Sequence, residues 1–406
     1  MKIIRVIGFC FVTLAATRLT ADDFIDRIDD ALTISTFRDN VRARLSGLID
    51  VEIFRIDQPP PGLIDTDQHF LFNPRLSLFF DAQLGPHIYF FAQSRVDRGF
   101  DPSDKAARIR LDEYALRITP WDDGRFDLRI GKFATVIGNW IVRHHSWENP
   151  FITAPLPYEN LISISDMLVL SSAQAFLRGF SLAERYEHNP IIWGPSYATG
   201  MSVAGRLGKL DYAAEVKNSA LASRPESWDA SDTGFDHPTV NARVGLRPNE
   251  MWNLEISASD GPYLRPEAGP MLPKGRSIGD YRELLLGQDI SFAWHHVQLW
   301  AEFYEVRFEV PNVGHADTFA YYLEGKYKFT PQLFGALRWN QQLFATVSDG
   351  YGGEAQWGHD LWRIDAALGY RLTAHMQLKL QYSFQGENSS SEDSGHSFAA
   401  QFTVRF

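Results

Sequence analysis

The chain has 406 residues, of which 45% are hydrophobic and 14% aromatic, yet its mean hydropathy is −0.23, so the apolar residues are interleaved with polar ones. A formal net charge of −11 argues against nucleic acid as a partner, because phosphate binding needs basic surface. With Cys10 as the only cysteine, disulfides and cysteine-based metal sites are excluded.

Residues 1–21 read as a secretory signal: Lys2 and Arg5 are the basic start, Val6 to Ala16 the apolar stretch, and Ala21 precedes the expected cleavage. Removing three basic and no acidic residues takes the charge to 39 − 3 − 50 = −14. No later stretch reaches the roughly 18 apolar residues of a spanning helix. In residues 22–40, Phe24, Ile25, Ile28 and Leu32 have helical spacing among acids, which predicts a short periplasmic helix or coil.

From residue 41 onward the period is two. Phe70, Phe72, Leu76, Leu78, Phe80, Ala82 and Leu84 alternate with Asn73, Arg75, Ser77, Asp81 and Gln83. Ile88, Phe90, Ala92 and Val96 oppose Gln93, Arg95 and Asp97. Trp362, Ile364, Ala366, Leu368 and Tyr370 oppose Arg363, Asp365 and Arg371, and Leu378, Leu380 and Tyr382 oppose Lys379, Gln381 and Ser383. Side chains alternate across a strand, so each segment has one greasy and one wet face. The last segment, 396–406, puts Phe398, Ala400, Phe402, Val404 and Phe406 on one face, and a terminal Phe there is an expected signal to the barrel-assembly machinery.

Seven short connections occur near residues 85, 120–124, 208, 247–250, 295, 330 and 373–375, and eight long ones at 56–69, 98–107, 134–196, 220–236, 261–283, 310–317, 346–360 and 387–395. Short periplasmic turns alternating with long extracellular loops predict an all-β transmembrane antiparallel barrel of about 16 strands, spanning 41–406, in the cell outer membrane.

On the wet faces of the second to fifth strands fall Arg75, Arg95, Glu113, Arg117, Asp127 and Arg129, the candidate pore-lining residues. Further wet-face charges are Asp211, Glu215, Lys217, Arg243, Glu255, Asp289, Glu302, Glu324, Lys326, Arg338, Arg363, Asp365, Lys379 and Arg405. Rings of charge set ion preference in pores, and the signs here are mixed. The segment 134–196 is too long for a plain connection and is expected to act as a constriction loop, with Arg143, His144, Trp147 and Glu148 as candidates. No catalytic, cofactor or metal constellation is present: in His144-His145 and His295-His296 the neighbours point to opposite faces of a strand, which does not suit one ion.

Residues 111–116 (Leu-Asp-Glu-Tyr-Ala-Leu) and 128–133 (Leu-Arg-Ile-Gly-Lys-Phe) resemble the hairpin strands of the phosphate-selective porin family of the O and P type. Leu210, Asp211, Tyr212 and Asn218, within 200–218, resemble a later hairpin of that family. The resemblance implies a homotrimeric 16-stranded diffusion pore for small hydrophilic solutes, set in membrane lipid and lipopolysaccharide. The long third loop carries no lysine-rich cluster, so phosphate selectivity does not carry over. Three functions remain open: a passive porin, a channel specific for sugar or anion, and a structural or adhesive barrel with a closed lumen. Trp300 and Tyr304 on a wet face would suit stacking on a sugar or plain packing equally well.

Overall fold

The computed structural model describes residues 24–36, 40–57, 68–98, 107–181, 184–225, 234–388 and 394–406. The expected signal segment 1–21, with Cys10, lies outside the described residues, as do parts of the connections near 58–67, 99–106, 226–233 and 389–393.

A helix, α1, covers residues 24–31, where the helical spacing places it, and a short strand β1 (Thr33–Thr36) follows. Then come β2 (Val41–Ile56), β3 (Phe70–Leu84), β4 (Ile88–Asp97), β5 (Arg108–Ile118) and β6 (Asp127–Phe133). The segment 134–197 holds two short helices, α2 (Leu156–Glu159) and α3 (Ala173–Leu177). Beyond it lie β7 (Ala198–Leu207), β8 (Leu210–Lys217), β9 (Thr239–Leu246), β10 (Trp252–Pro262), β11 (Arg282–Trp294) and β12 (Val297–Val310). The chain ends with β13 (Gly314–Lys328), β14 (Leu333–Phe344), the small hairpin β15 (Thr346–Ser348) and β16 (Glu354–Gln356), β17 (Leu361–Arg371), β18 (Met376–Glu387) and β19 (Ser394–Arg405).

Sixteen of these strands, β2 to β14 and β17 to β19, pair antiparallel in order, and β19 pairs back onto β2. The sheet is therefore a closed barrel without free edges. Closure reaches the last residue: Phe406 exchanges backbone hydrogen bonds with Gly47 at 2.9 and 3.1 Å. A side chain at Gly47 would strike the Phe406 ring, so glycine there makes room for the terminal aromatic. Both ends of the barrel chain lie at the short-turn end.

The alternation sets the facing. Leu284, Leu286, Ile290, Leu323, Leu337, Leu368, Leu378 and Leu380 point out and are exposed, while Asp289, Glu302, Glu324, Arg338, Asp365 and Lys379 point in and are buried. Aromatic rings flank this outward apolar band. Trp252 lies beside Phe292 (4.6 Å) and Tyr327 beside Phe329 (5.1 Å) at the turn end, and Trp362 beside Trp339 (5.6 Å) and Phe384 (5.3 Å) towards the loop end. An apolar band between two aromatic girdles is the outer surface of a barrel that sits in a bilayer. No helix among the described residues is long and apolar enough to cross a membrane.

The largest apolar core lies inside the barrel. Ile137, Trp140, Ile141, Tyr158, Ile162 and Ile164 of the long third connection pack with Leu285, Tyr304, Val306, Phe308, Ala320 and Tyr322 on the inner faces of β11, β12 and β13. Two details depart from the sequence reading. The connection expected at 310–317 shrinks to 311–313, because β12 and β13 run on to the pair Val310–Gly314. Asn312 and Gly314 supply the positive φ angles (63° and 109°) of so tight a turn, and Arg307 and Asp317 bridge the extended ladder at 2.7 Å. In β5 the register against β4 shifts by one, so that Gln93 faces Glu113 and Ser94 faces Leu111, with Asp112 bulged between them.

Candidate functional site

The inner wall of β2 to β6 carries the six sequence-selected charges. Arg75 is bound by two acids of β2, at 3.1 Å from Asp50 and 2.7 Å from Glu52. Those carboxylates are fixed in turn: Asp50 accepts from Thr403 Oγ1 (2.6 Å), and Glu52 accepts from Gln401 Nε2 (2.6 Å) and Asn73 Nδ2 (2.8 Å). Arg95 is 3.6 Å from Asp97 and donates to Ser77 Oγ at 3.4 Å. Arg117 pairs with Asp127 across the β5–β6 hairpin. Arg129 lies over the rings of Phe91 (5.6 Å) and Phe133 (5.3 Å). Glu113 accepts the backbone N–H of Ala134 at 2.6 Å, so it anchors the start of the long connection.

The bulge at Asp112 adds two charges that strict alternation hides. Arg110 and Asp112 are both buried on the inner wall, 2.7 Å apart, and Arg110 also reaches Asp97 at 3.2 Å. The wall thus interleaves arginines (44, 75, 95, 108, 110, 117 and 129) with carboxylates (Asp50, Glu52, Asp81, Asp97, Asp112, Glu113 and Asp127). It is a mixed surface with much of its charge locally paired.

Opposite this wall, the segment 134–196 is fastened to the inner faces of β11 to β18 by side chains that meet its backbone. Glu302 accepts the N–H of Trp140 (2.6 Å), and Asn340 Oδ1 accepts that of Leu156 (3.2 Å). Gln381 Oε1 accepts from Ile152 (2.6 Å) and Thr153 (3.2 Å). Arg338 donates to the carbonyls of Thr153 and Ala154, both at 3.1 Å, and Lys379 Nζ donates to those of Ser146, Asn149 and Phe151 at 2.8, 2.9 and 3.0 Å. Glu159 of α2 meets Arg363, which sits 3.1 Å from Asp365. A buried loop must satisfy its own peptide groups, and here the polar inner faces of the strands do so.

The four candidates on this segment divide. Arg143 turns into the wall, where it pairs with Glu324, donates to Tyr322 Oη at 3.0 Å and lies over Trp300 at 4.2 Å. Trp147 has two guanidinium groups over its ring, Arg405 at 4.4 Å and Arg371 at 5.3 Å. His144 faces the β2–β6 side, with its Nε2 2.9 Å from Tyr197 Oη and its Nδ1 on the carbonyl of Ile141. Burial pushes its imidazole down to about 3, so the ring is neutral, accepting from Tyr197 and donating to Ile141. Desolvation likewise raises the carboxyls of Glu148 and Glu159, the latter despite the neighbouring Arg363. Tyr304 is fully buried against Glu302 (3.0 Å) and Tyr158 (2.8 Å), and so is packed away from any solute.

Between the clamped segment and the wall lies a cavity of about 220 Å³. Glu52, Arg75, Arg95 and Asp97 line it on the wall side, and Trp140, His144, Thr153 and Glu159 on the loop side.

No family model matches the chain, and no curated protein does. Among solved structures, the anion-selective porin from Comamonas acidovorans superposes with a TM-score of 0.57 at 9% identity, covering 90% of this chain and 100% of that one. OmpF of Salmonella typhi, in complex with daunomycin, gives 0.56 at 12% identity over 92% and 100%. The outer membrane channel DcaP of Acinetobacter baumannii gives 0.54 at 11% identity over 92% and 99%. The chain is a 16-stranded outer-membrane β-barrel. Its architecture is that of the porins, and the similarity extends to the fold alone at these identities. The likeness to the O- and P-type porins rests on the two short motifs, which the structure places in the β5–β6 and β7–β8 hairpins. Their residues have local work there: a Cβ at Gly131 (φ 140°) would lie 2.2 Å from the Tyr114 carbonyl, and Asn218 Oδ1 accepts the N–H of Thr199 at 3.1 Å.

Proposed function

We propose that the chain is a porin, a passive pore for small hydrophilic solutes and ions, narrowed where the segment 134–196 faces β2 to β5. One observation carries the reading: a long connection lies inside the barrel, clamped to one half of the wall, with a charged cavity left against the other half. A segment held this way narrows a lumen without blocking it. Arg75, Arg95, Glu113, Arg117, Asp127 and Arg129 are the pore-lining set on this reading. His144 and Glu159 face them, Arg143 and Trp147 hold the constriction in place, and Glu148 is exposed beside Trp147. Balanced charge on the narrow wall gives weak ion selectivity. A homotrimer in lipid and lipopolysaccharide, assembled through recognition of Phe406, completes the proposal.

Planar-bilayer recording tests it. The purified protein should give discrete conductance steps, with a reversal potential close to zero in a salt gradient. Arg95→Ala removes a weakly paired positive charge and should shift that potential towards cations. A barrel that inserts yet never conducts would favour a closed-lumen structural role and overturn the proposal.

A further inference from the structure

The short-turn end of the barrel carries a feature that a passive pore does not require. Helix α1 lies against the inner rim. Asp29 accepts hydrogen bonds from Arg44 Nη2 (2.8 and 3.0 Å) and Nε (3.1 Å). Arg44 is on the inward face of β2, the face that also carries Asp50 and Glu52. At the other end of the helix, Asp26 meets His375 Nε2 at 2.8 Å in the β17–β18 turn. Since β19 stands between β18 and β2, α1 spans the rim across the end of β19.

The two ends of α1 are held very differently. Its C-terminal end runs into β1, which ladders onto β2 from Thr33–Arg44 to Thr36–Val41, beyond the point where β19 stops. Leu45 also donates to the Leu32 carbonyl at 3.0 Å. Among the described residues, the rest of the helix is held by the buried Ile25 and by the two ion pairs, whose acids are 33% (Asp29) and 66% (Asp26) exposed. Exposed pairs are weak and screened by salt. Phe24 is 64% exposed. Residues 24–32 contain three aspartates and one arginine, a charge of −2 beside a lumen whose nearby inward residues include Arg405 and Arg371.

Building on the pore reading, we propose that α1 is a tethered acidic flap: β1 is its fixed end, Asp29–Arg44 and Asp26–His375 are its latches, and voltage drives it into the periplasmic mouth. A negatively charged flap moves towards the positive side, so it enters the mouth only when the extracellular side is positive. A pore gated this way closes at one polarity.

Bilayer recordings at both polarities test this. The chain beginning at residue 22 should close in steps when the extracellular side is positive and stay open at the reverse polarity. Arg44→Gln with His375→Gln leaves the flap's charge and removes both latches, so closing should become about 2- to 25-fold faster, each exposed pair holding at most about a fivefold factor. A chain beginning at residue 33 should lose polarity-dependent closing while keeping its conductance. If that truncation fails to assemble, Asp26→Asn, Asp29→Asn and Asp30→Asn together should abolish the polarity dependence in an intact chain. Closing that persists unchanged in the truncated or neutralised protein, or that is absent from the starting protein, would overturn the flap and leave the pore standing. Absence of any conductance in the intact chain would overturn both.

Discussion

Lys379 offers the sharpest test of how the long connection is held. Its ammonium is fully buried and donates to three carbonyls of one turn, those of Ser146, Asn149 and Phe151. Lys379→Met keeps the aliphatic stem and removes the three donors. A hydrogen bond from a charged group contributes about 1.5–3 kcal/mol, but water can enter to solvate carbonyls that lose it, so a net loss of about 3–5 kcal/mol of anchoring is the reasonable figure. The loss stays local, because Arg338 still holds Thr153 and Ala154, and Gln381 still accepts from Ile152. The barrel ladder is untouched. At about 1.4 kcal/mol per decade, local opening of residues 144–151 should become roughly 10²–10³ times more frequent. Limited proteolysis of the protein in detergent should then cleave this segment, and open-channel noise should rise, while the thermal unfolding of the barrel moves little. Lys326→Met, whose ammonium rests over the Phe334 ring at 4.3 Å, is the control and should change neither. A Lys379→Met protein as protease-resistant and as quiet as the starting protein would refute the clamp.

Four further outcomes follow from the same geometry. Leu380→Arg places a charge on the outward apolar face and should lower stability in vesicles by about 2–4 kcal/mol near the bilayer midplane, and an unchanged denaturant midpoint would move that residue off the hydrocarbon. His144 and His188 are neutral when folded, pushed by burial to about 3 and about 4, so between the unfolded value near 6.5 and those values the unfolded chain binds more protons. Anchoring of the segment should therefore weaken as pH falls below about 6.5, and His144→Gln should flatten the pH dependence of its protease resistance. Gly131→Ala forces a Cβ to 2.2 Å from the Tyr114 carbonyl at a φ of 140°, and should cut the yield of heat-modifiable barrel sharply. Arg75→Ala leaves Asp50 and Glu52 without their cation, so it should move the reversal potential further towards cations than Arg95→Ala and also lower the thermal midpoint.

The barrel was legible because its cause is local. One face meets lipid and the other does not, so every strand must alternate, and the facing of Leu378, Leu380, Lys379 and Gln381 follows from parity. Three of the seven short turns were legible for a related reason, since Gly85, Gly124 and Gly208 take the positive φ angles that tight turns require. The connection at 310–317 misled because His315 and Asp317 are polar and outward, as outward residues become once a strand rises past the apolar band. The fastening of the long segment was not legible, because the partners are far apart in sequence: Arg143 meets Glu324, Trp140 meets Glu302, and Arg363 meets Glu159. Periodicity names both halves of such a pair as polar and inward, but it carries no information on which meets which.

The narrow wall shows how a small local irregularity alters an electrostatic conclusion. Alternation selects Arg75, Arg95, Arg117 and Arg129 on consecutive strands, with Glu113 and Asp127 as partial relief. On that reading the wall is a positive surface that draws anions. The bulge at Asp112 adds an arginine and a carboxylate to the same face, and β2 adds Asp50 and Glu52. Like charges on adjacent inward positions repel in a low-dielectric wall unless countered at contact distance, and the observed contacts of 2.7–3.6 Å on Arg75, Arg95 and Arg110 do counter them. Four isolated arginines would make a selectivity filter. On the pore reading proposed above, arginines interleaved with carboxylates at contact distance make a wall whose field is strong at short range and reduced at the scale of a passing ion, which suits weak ion selectivity.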